Sequence, residues 1–137
     1  MKDTIVEDIN FGLKGEQYTK CFIEKYLNIT INHTKYDYHN FDFISEDRNI
    51  FIEVKTRNLT YSKARYYRDL FISTSKIEYI KHNPNKTYYF CYNLKDAILI
   101  YKYKTGELKS TINGRKNERL KKLNLLPVKD MVCIHKK

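Results

Sequence analysis

Residues 50–56, IFIEVKT, set Glu53 and Lys55 two positions apart in an apolar run. A strand sends successive side chains to opposite faces. Phe51, Glu53 and Lys55 therefore share one face, and Ile50, Ile52, Val54 and Thr56 take the other. A carboxylate and an ammonium set into so apolar a segment cost several kcal/mol unless each finds a partner. Residues 36–45, YDYHNFDFIS, read as a preceding strand, with a polar turn around Glu46 to Asn49. A turn of two or four residues sets Ser45 opposite Ile50, and hence Asp42 opposite Glu53, with Cβ atoms roughly 5 Å apart. A turn of three or five sends Asp42 to the other face.

Upstream, residues 13–27, LKGEQYTKCFIEKYL, predict a helix, with good formers and no proline. Ile23 and Leu27 fall within about 20° of Glu16 around its axis, which places Glu16 at the edge of the apolar face. Downstream, residues 57–68 are polar and aromatic and read as a loop. Residues 70–73 form a short extended piece. Ser73 or Ser75 then caps a helix over 74–83 that stops before Pro84. TYYFCYN (87–93) and AILIYKY (97–103) predict two further strands, and LPVKDMVCI a short helix opening at Pro127.

Composition narrows the chemistry. The chain has 137 residues and no internal repeat or linker, which suggests one domain. Lys and Arg number 26 against 16 acidic residues, a formal charge of +10 that favours an anionic partner, nucleic acid before a membrane surface. Cys21, Cys91 and Cys133 are far apart and form no CxxC, and the four histidines make no HxxxH pair. Neither a disulfide framework nor a zinc site is expected. With no apolar leader and no run long enough to span a bilayer, the expected location is intracellular: cytoplasmic, or nuclear or a viral factory for a eukaryotic virus.

Two facing carboxylates with a neighbouring lysine suit hydrolysis of a phosphodiester. Carboxylate oxygens can hold Mg²⁺ or Mn²⁺, and a nearby cation can orient the attacking water or stabilise the developing oxyanion. Arg57, Lys63, Arg65 and Arg68, with Tyr61, Tyr66 and Tyr67 and no acid among them, suit phosphates and exposed bases. Arg115, Lys116, Arg119, Lys121 and Lys122 form a second basic patch, read equally as a solvated helix face or a phosphate contact.

The order of a helix bearing Glu16, then Asp42, then Glu53-Val54-Lys55 on a strand resembles the PD-(D/E)xK nuclease superfamily. In format it is most similar to small archaeal Holliday junction resolvases and to short viral or phage nucleases. The resemblance covers about residues 12–103, leaving 104–137 as a basic extension of the same domain. It implies an α/β, restriction-endonuclease-like fold, a mixed central sheet flanked by helices with an αβββαβ core. It implies that Asp42, Glu53 and the Val54 carbonyl bind Mg²⁺ or Mn²⁺, that Lys55 acts on the water, and that Glu16 supports the site or a second metal. It extends to Lys76, where relatives often carry Lys or Gln near the site, grouped here with the nucleic-acid-binding residues. Phe41 stands where the signature has proline. Some relatives use two subunits to cut two strands, so a homodimer is one expected assembly. The expected activity is a DNA endonuclease. The competing readings are a nucleic-acid-binding module with structural carboxylates, in which Glu53 and Lys55 are a cross-strand charge pair, and a ribonuclease on the same scaffold. Asp37 competes with Asp42 but falls on the opposite face. Asp47 reads as a turn former, and His33 and His39 as surface or core residues, although cap-snatching RNA endonucleases add a histidine to the same core.

Overall fold

The computed structural model describes residues 16–34, 41–104, 110–113 and 121–136. Two runs apolar on both faces, β3 (Ile50–Thr56) and β5 (Thr87–Asn93), make the centre of the sheet. They pair in parallel from Ile50↔Thr87 to Thr56↔Asn93. A parallel pair needs cover on both faces, which is why neither strand alternates cleanly between apolar and polar.

Around this pair, β1 (Ile31–His33) and β2 (Phe43–Ser45) extend one side antiparallel. On the other side lie β6 (Ala97–Lys102) and β9 (Val132–His135). The six-stranded order is β1-β2-β3-β5-β6-β9, a mixed sheet. A second, antiparallel sheet of order β4-β8-β7 comprises β4 (Asp69–Ser73), β8 (Lys121–Pro127) and β7 (Ser110–Asn113).

Each face of the main sheet has its own core. On one face, Ile52, Val54, Cys91, Ile98 and Ile100 pack with Ile23 of helix α1, residues 16–27. Asn28 ends that helix at φ 54°, a left-handed conformation that asparagine tolerates. On the other face, Phe51, Tyr88, Phe90 and Tyr92 meet the crossover between β3 and β5. This crossover contains α2 (Tyr61–Tyr67), β4 and α3 (Thr74–His82), which contribute Ala64, Ile72, Ile77 and Ile80. The buried phenols keep partners: Tyr88 donates to the Asn83 carbonyl at 2.6 Å and Tyr92 to that of Phe71 at 2.8 Å.

The result is an α/β protein whose mixed central sheet is flanked by helices. The helix expected at 74–83 is α3, with Ser73 as its N-cap, accepting from the Ser75 amide. The expected helix at 13–27 is described from residue 16, and of the strand expected at 36–45 the described part is Phe43–Ser45. One reading is corrected: residues 57–68 are not all loop, since Thr60 caps α2 by accepting from the Lys63 amide. The short helix expected to open at Pro127 is a single 3₁₀ turn, Val128–Asp130, with Pro127 as its N-cap, and β9 follows it. Residues 121–136 are also woven into the fold, with Leu126 and Val128 in the core and Asn124 accepting from the Thr74 hydroxyl at 3.0 Å. Asp37, His39, Arg115, Lys116 and Arg119 lie outside the described residues, as do the side chains of Lys121 and Lys122. No helix among the described residues is long and apolar enough to cross a membrane.

Ile52 is fully buried at the sheet centre, whereas Phe71 is 45% exposed on β4. Ile52→Ala should cost about 2–5 kcal/mol by cavity formation. Phe71→Ala should stay within about 0.5 kcal/mol. Urea unfolding of both variants measures the contrast.

Candidate active site

The site is built on the β2–β3 hairpin. Four residues, Glu46 to Asn49, separate Ser45 from Ile50. The Asp47 carboxylate accepts from the Ser45 hydroxyl and from the Asn49 amide, while the Ser45 oxygen accepts from the Ile50 amide. Asp47 is thus the turn former that its position implies. The register Phe43↔Ile52 and Ile44↔Phe51 follows, and Asp42, in the bend just before β2, comes within hydrogen-bonding reach of Glu53.

Asp42 is tied down through its side chain and both of its backbone polar groups. Its amide donates to the Ile52 carbonyl at 3.0 Å, and its carbonyl accepts from the Thr34 amide at 3.0 Å. Its Oδ2 accepts from the Val54 amide at 2.8 Å. The carboxylate takes the amide that a longer β2 would have paired. Thr34 also donates its hydroxyl to the Phe41 carbonyl at 2.8 Å. Phe41 itself is 1% exposed and packs on Phe51, Tyr79, Tyr88 and Phe90. A large ring therefore anchors the residue before Asp42, where the resembled signature has proline.

Glu53 is 3% exposed, and its Oε2 lies 2.6 Å from Lys76 Nζ. Lys76 comes from α3 and also sits 5.5 Å from the centroid of the Phe41 ring. Burial pushes the Glu53 carboxyl up to about 8, and the hydrogen bond and charge of Asp42 add to the rise. Lys76 and Lys55 oppose it. Glu16 is half-buried at the start of the described helix and is raised too, first by burial and then by Asp42, with His33 and Lys55 pulling it down. Asp42, Glu53, Lys55 and Glu16 are therefore brought into one electrostatic neighbourhood, together with His33 from β1.

Lys76, grouped with the nucleic-acid-binding residues and expected near the site on resemblance, does lie at the site, its ammonium 2.6 Å from the buried Glu53 carboxyl. The other four cations are exposed. Arg57 follows β3, with its amide bonded to the Asn93 carbonyl. Lys63 and Arg65 lie on α2, and Arg68 caps the C-terminus of that helix at φ 70°. Thr34 carries no sequence signal that marks it, and His33 only its likeness to the histidine some related nucleases add; both are placed by β1 pairing with β2.

Among the described residues no three His, Cys, Asp or Glu side chains form a metal-binding group. The available donor set is the pair Asp42 and Glu53 with adjoining backbone oxygens. Two hard oxygen ligands held against their mutual repulsion suit a divalent cation, which would replace repulsion with attraction. No family model, curated protein or solved structure matches the chain.

The shift of Glu53 makes stability fall with pH. The folded protein holds the Glu53 proton up to about 8, whereas the unfolded chain releases it near 4.5. The folded state therefore binds more protons in that window, and stability is lost as pH rises through it. In metal-free buffer, Glu53→Gln should flatten the fall seen in urea titrations between these pH values. A wild type and variant with parallel profiles would contradict the buried, protonated carboxyl. Lys76→Met removes the facing cation and should lift the Glu53 pKa above about 8, as read by carboxyl ¹³C NMR.

Proposed function

We propose that the protein is a metal-dependent nuclease of the PD-(D/E)xK, restriction-endonuclease-like type, a DNA endonuclease. One observation carries the proposal: the β2–β3 hairpin brings Asp42 beside the buried Glu53, whose carboxyl burial pushes up to about 8, with the hydrogen bond and charge of Asp42 adding to the rise. A pair of carboxylates kept together at such electrostatic cost suggests use of the repulsion. The order α1, β1, β2, β3, α3, β5 also supports the reading, since it matches the implied αβββαβ core once α2 and β4 are taken as an insertion. The +10 charge supports a nucleic-acid partner.

In this proposal Asp42, Glu53 and the Val54 carbonyl hold Mg²⁺ or Mn²⁺. When bound, the ion supplies charge neutralisation at the phosphate and acidifies a coordinated water. Lys55 orients the attacking water or stabilises the developing oxyanion, and Glu16 steadies the polar cluster from α1. Arg57, Lys63, Arg65 and Arg68 hold phosphates. Lys76 holds a cation beside Glu53. A homodimer cutting two strands belongs to the same proposal. A second reading, the non-catalytic nucleic-acid-binding module, draws on the 2.6 Å Lys76–Glu53 contact, which neutralises the carboxylate without any metal.

Junction, flap, duplex and single-stranded DNA, and RNA, incubated with Mg²⁺ or Mn²⁺, separate the two readings. The wild type should cut at least one DNA. Asp42→Asn and Glu53→Gln should abolish cutting and weaken Mn²⁺ binding in calorimetry, while Lys55→Ala should abolish cutting and retain Mn²⁺. A wild type that cuts none of them and takes up no Mn²⁺ leaves the binding module standing.

A further inference from the structure

Outside the carboxylate cluster, the described residues form a cleft of about 770 Å³ where α2 meets β4 and the 3₁₀ turn. Its size lies within the roughly 300–1,000 Å³ of small-molecule sites. Its walls are tied together. The Val128 amide donates to the Arg68 carbonyl at 2.9 Å, and the Met131 amide to the Val128 carbonyl at 3.0 Å. The Tyr61 amide donates to the Asp96 carboxylate at 2.8 Å. Such a cleft is preformed.

Arg65, Arg68 and Lys129 line it, with the Arg65 guanidinium 5.0 Å from the centroid of the Tyr61 ring. Two carboxylates, Asp69 and Asp130, line it too. Among the described residues, however, neither guanidinium forms an ion pair with either acid. Both forks are therefore open to an anion, and their planar donors match phosphate oxygens. The acids accept hydrogen bonds but repel a bare anion. An occupant must bring both an anion and donors of its own. Pro127 and Met131 add an apolar wall on which a flat ring can pack.

We infer that this cleft binds one unpaired nucleotide of a nucleic-acid strand, with its phosphate on Arg65 and Arg68. Its base lies against Tyr61 and the Pro127–Met131 turn, and its amino or hydroxyl donors reach Asp69 or Asp130. This divides the basic segment in two. Arg65 and Arg68 serve the cleft, whereas Arg57 and Lys63 do not line it. The inference rests on the nuclease proposal only for the polymer to which the nucleotide belongs. The Tyr61 end of the cleft lies near the C-terminal ends of β3 and β5, where the Arg57 amide bonds the Asn93 carbonyl and the Lys95 amide the Leu59 carbonyl.

The test reads binding in EDTA, so that the absence of cleavage has no bearing on it. Amide NMR spectra of the whole chain are titrated with cytidine monophosphate, cytidine and inorganic phosphate. Cytidine monophosphate should shift Tyr61, Arg68, Asp69 and Met131 and bind more tightly than either fragment. Arg65→Gln and Arg68→Gln should each weaken it roughly tenfold or more with dispersed spectra retained. Lys81→Gln, on the exposed Glu78-paired lysine of α3, should leave it unchanged. A duplex with a single-stranded tail should bind more tightly than its blunt counterpart, and the two arginine variants should erase the difference. Shifts confined to Asp42 and Glu53, phosphate binding as tightly as the nucleotide, or no shift at millimolar nucleotide would each overturn the inference, even for a chain that cuts DNA.

Discussion

Ser45 and Asp47 lock the β2–β3 turn at four residues by gathering the Ser45 hydroxyl and the Asn49 and Ile50 amides. Strand side chains alternate, so that number has consequences far from the turn: one residue more or fewer rotates Asp42 away from Glu53. It also fixes which face of β3 meets α3, because Phe51 and Glu53 must point together. The core on that face and the carboxylate pair are specified by the same count.

Once Glu53 faces inward, the surroundings must compensate for it. β3 supplies the carboxylate, α3 the Lys76 ammonium, and the segment before β2 the Phe41 ring beneath that ammonium. Replacing such a group by a well-packed apolar residue is often neutral or stabilising, so stability alone gives no reason to keep it. Thr34 and Val54 hold Asp42 in place through their backbone amides.

Much of this was legible because short-range rules decide it. The parity of the turn put Asp42 next to Glu53, and Ser73 and Pro84 bracketed α3 from either side. α2 was not legible, since Ala64 is its only fully buried residue and the Thr60 cap and the Arg68 amide define its ends. Without an apolar stripe, seven polar and aromatic residues look like a loop. β9 was hidden for a different reason: four residues of mixed burial become a strand only because β6 offers them an edge. The Lys76–Glu53 pair depends on how α3 lands on the sheet, a tertiary event that spacing along the chain does not encode.

The pairing of β6 with β9 has a consequence for how the sheet is assembled. β6 is apolar along nearly its whole length, and one of its edges is completed only by residues 132–135, which follow it after the two strands of the smaller sheet. The β2–β3 and β5–β6 hairpins can close locally and early. β9, like the β3–β5 parallel pair, requires a long loop to close first, which slows folding. During synthesis the edge of β6 is therefore exposed while its partner is still to emerge. In that interval AILIYK is the segment most open to pairing with a second nascent chain.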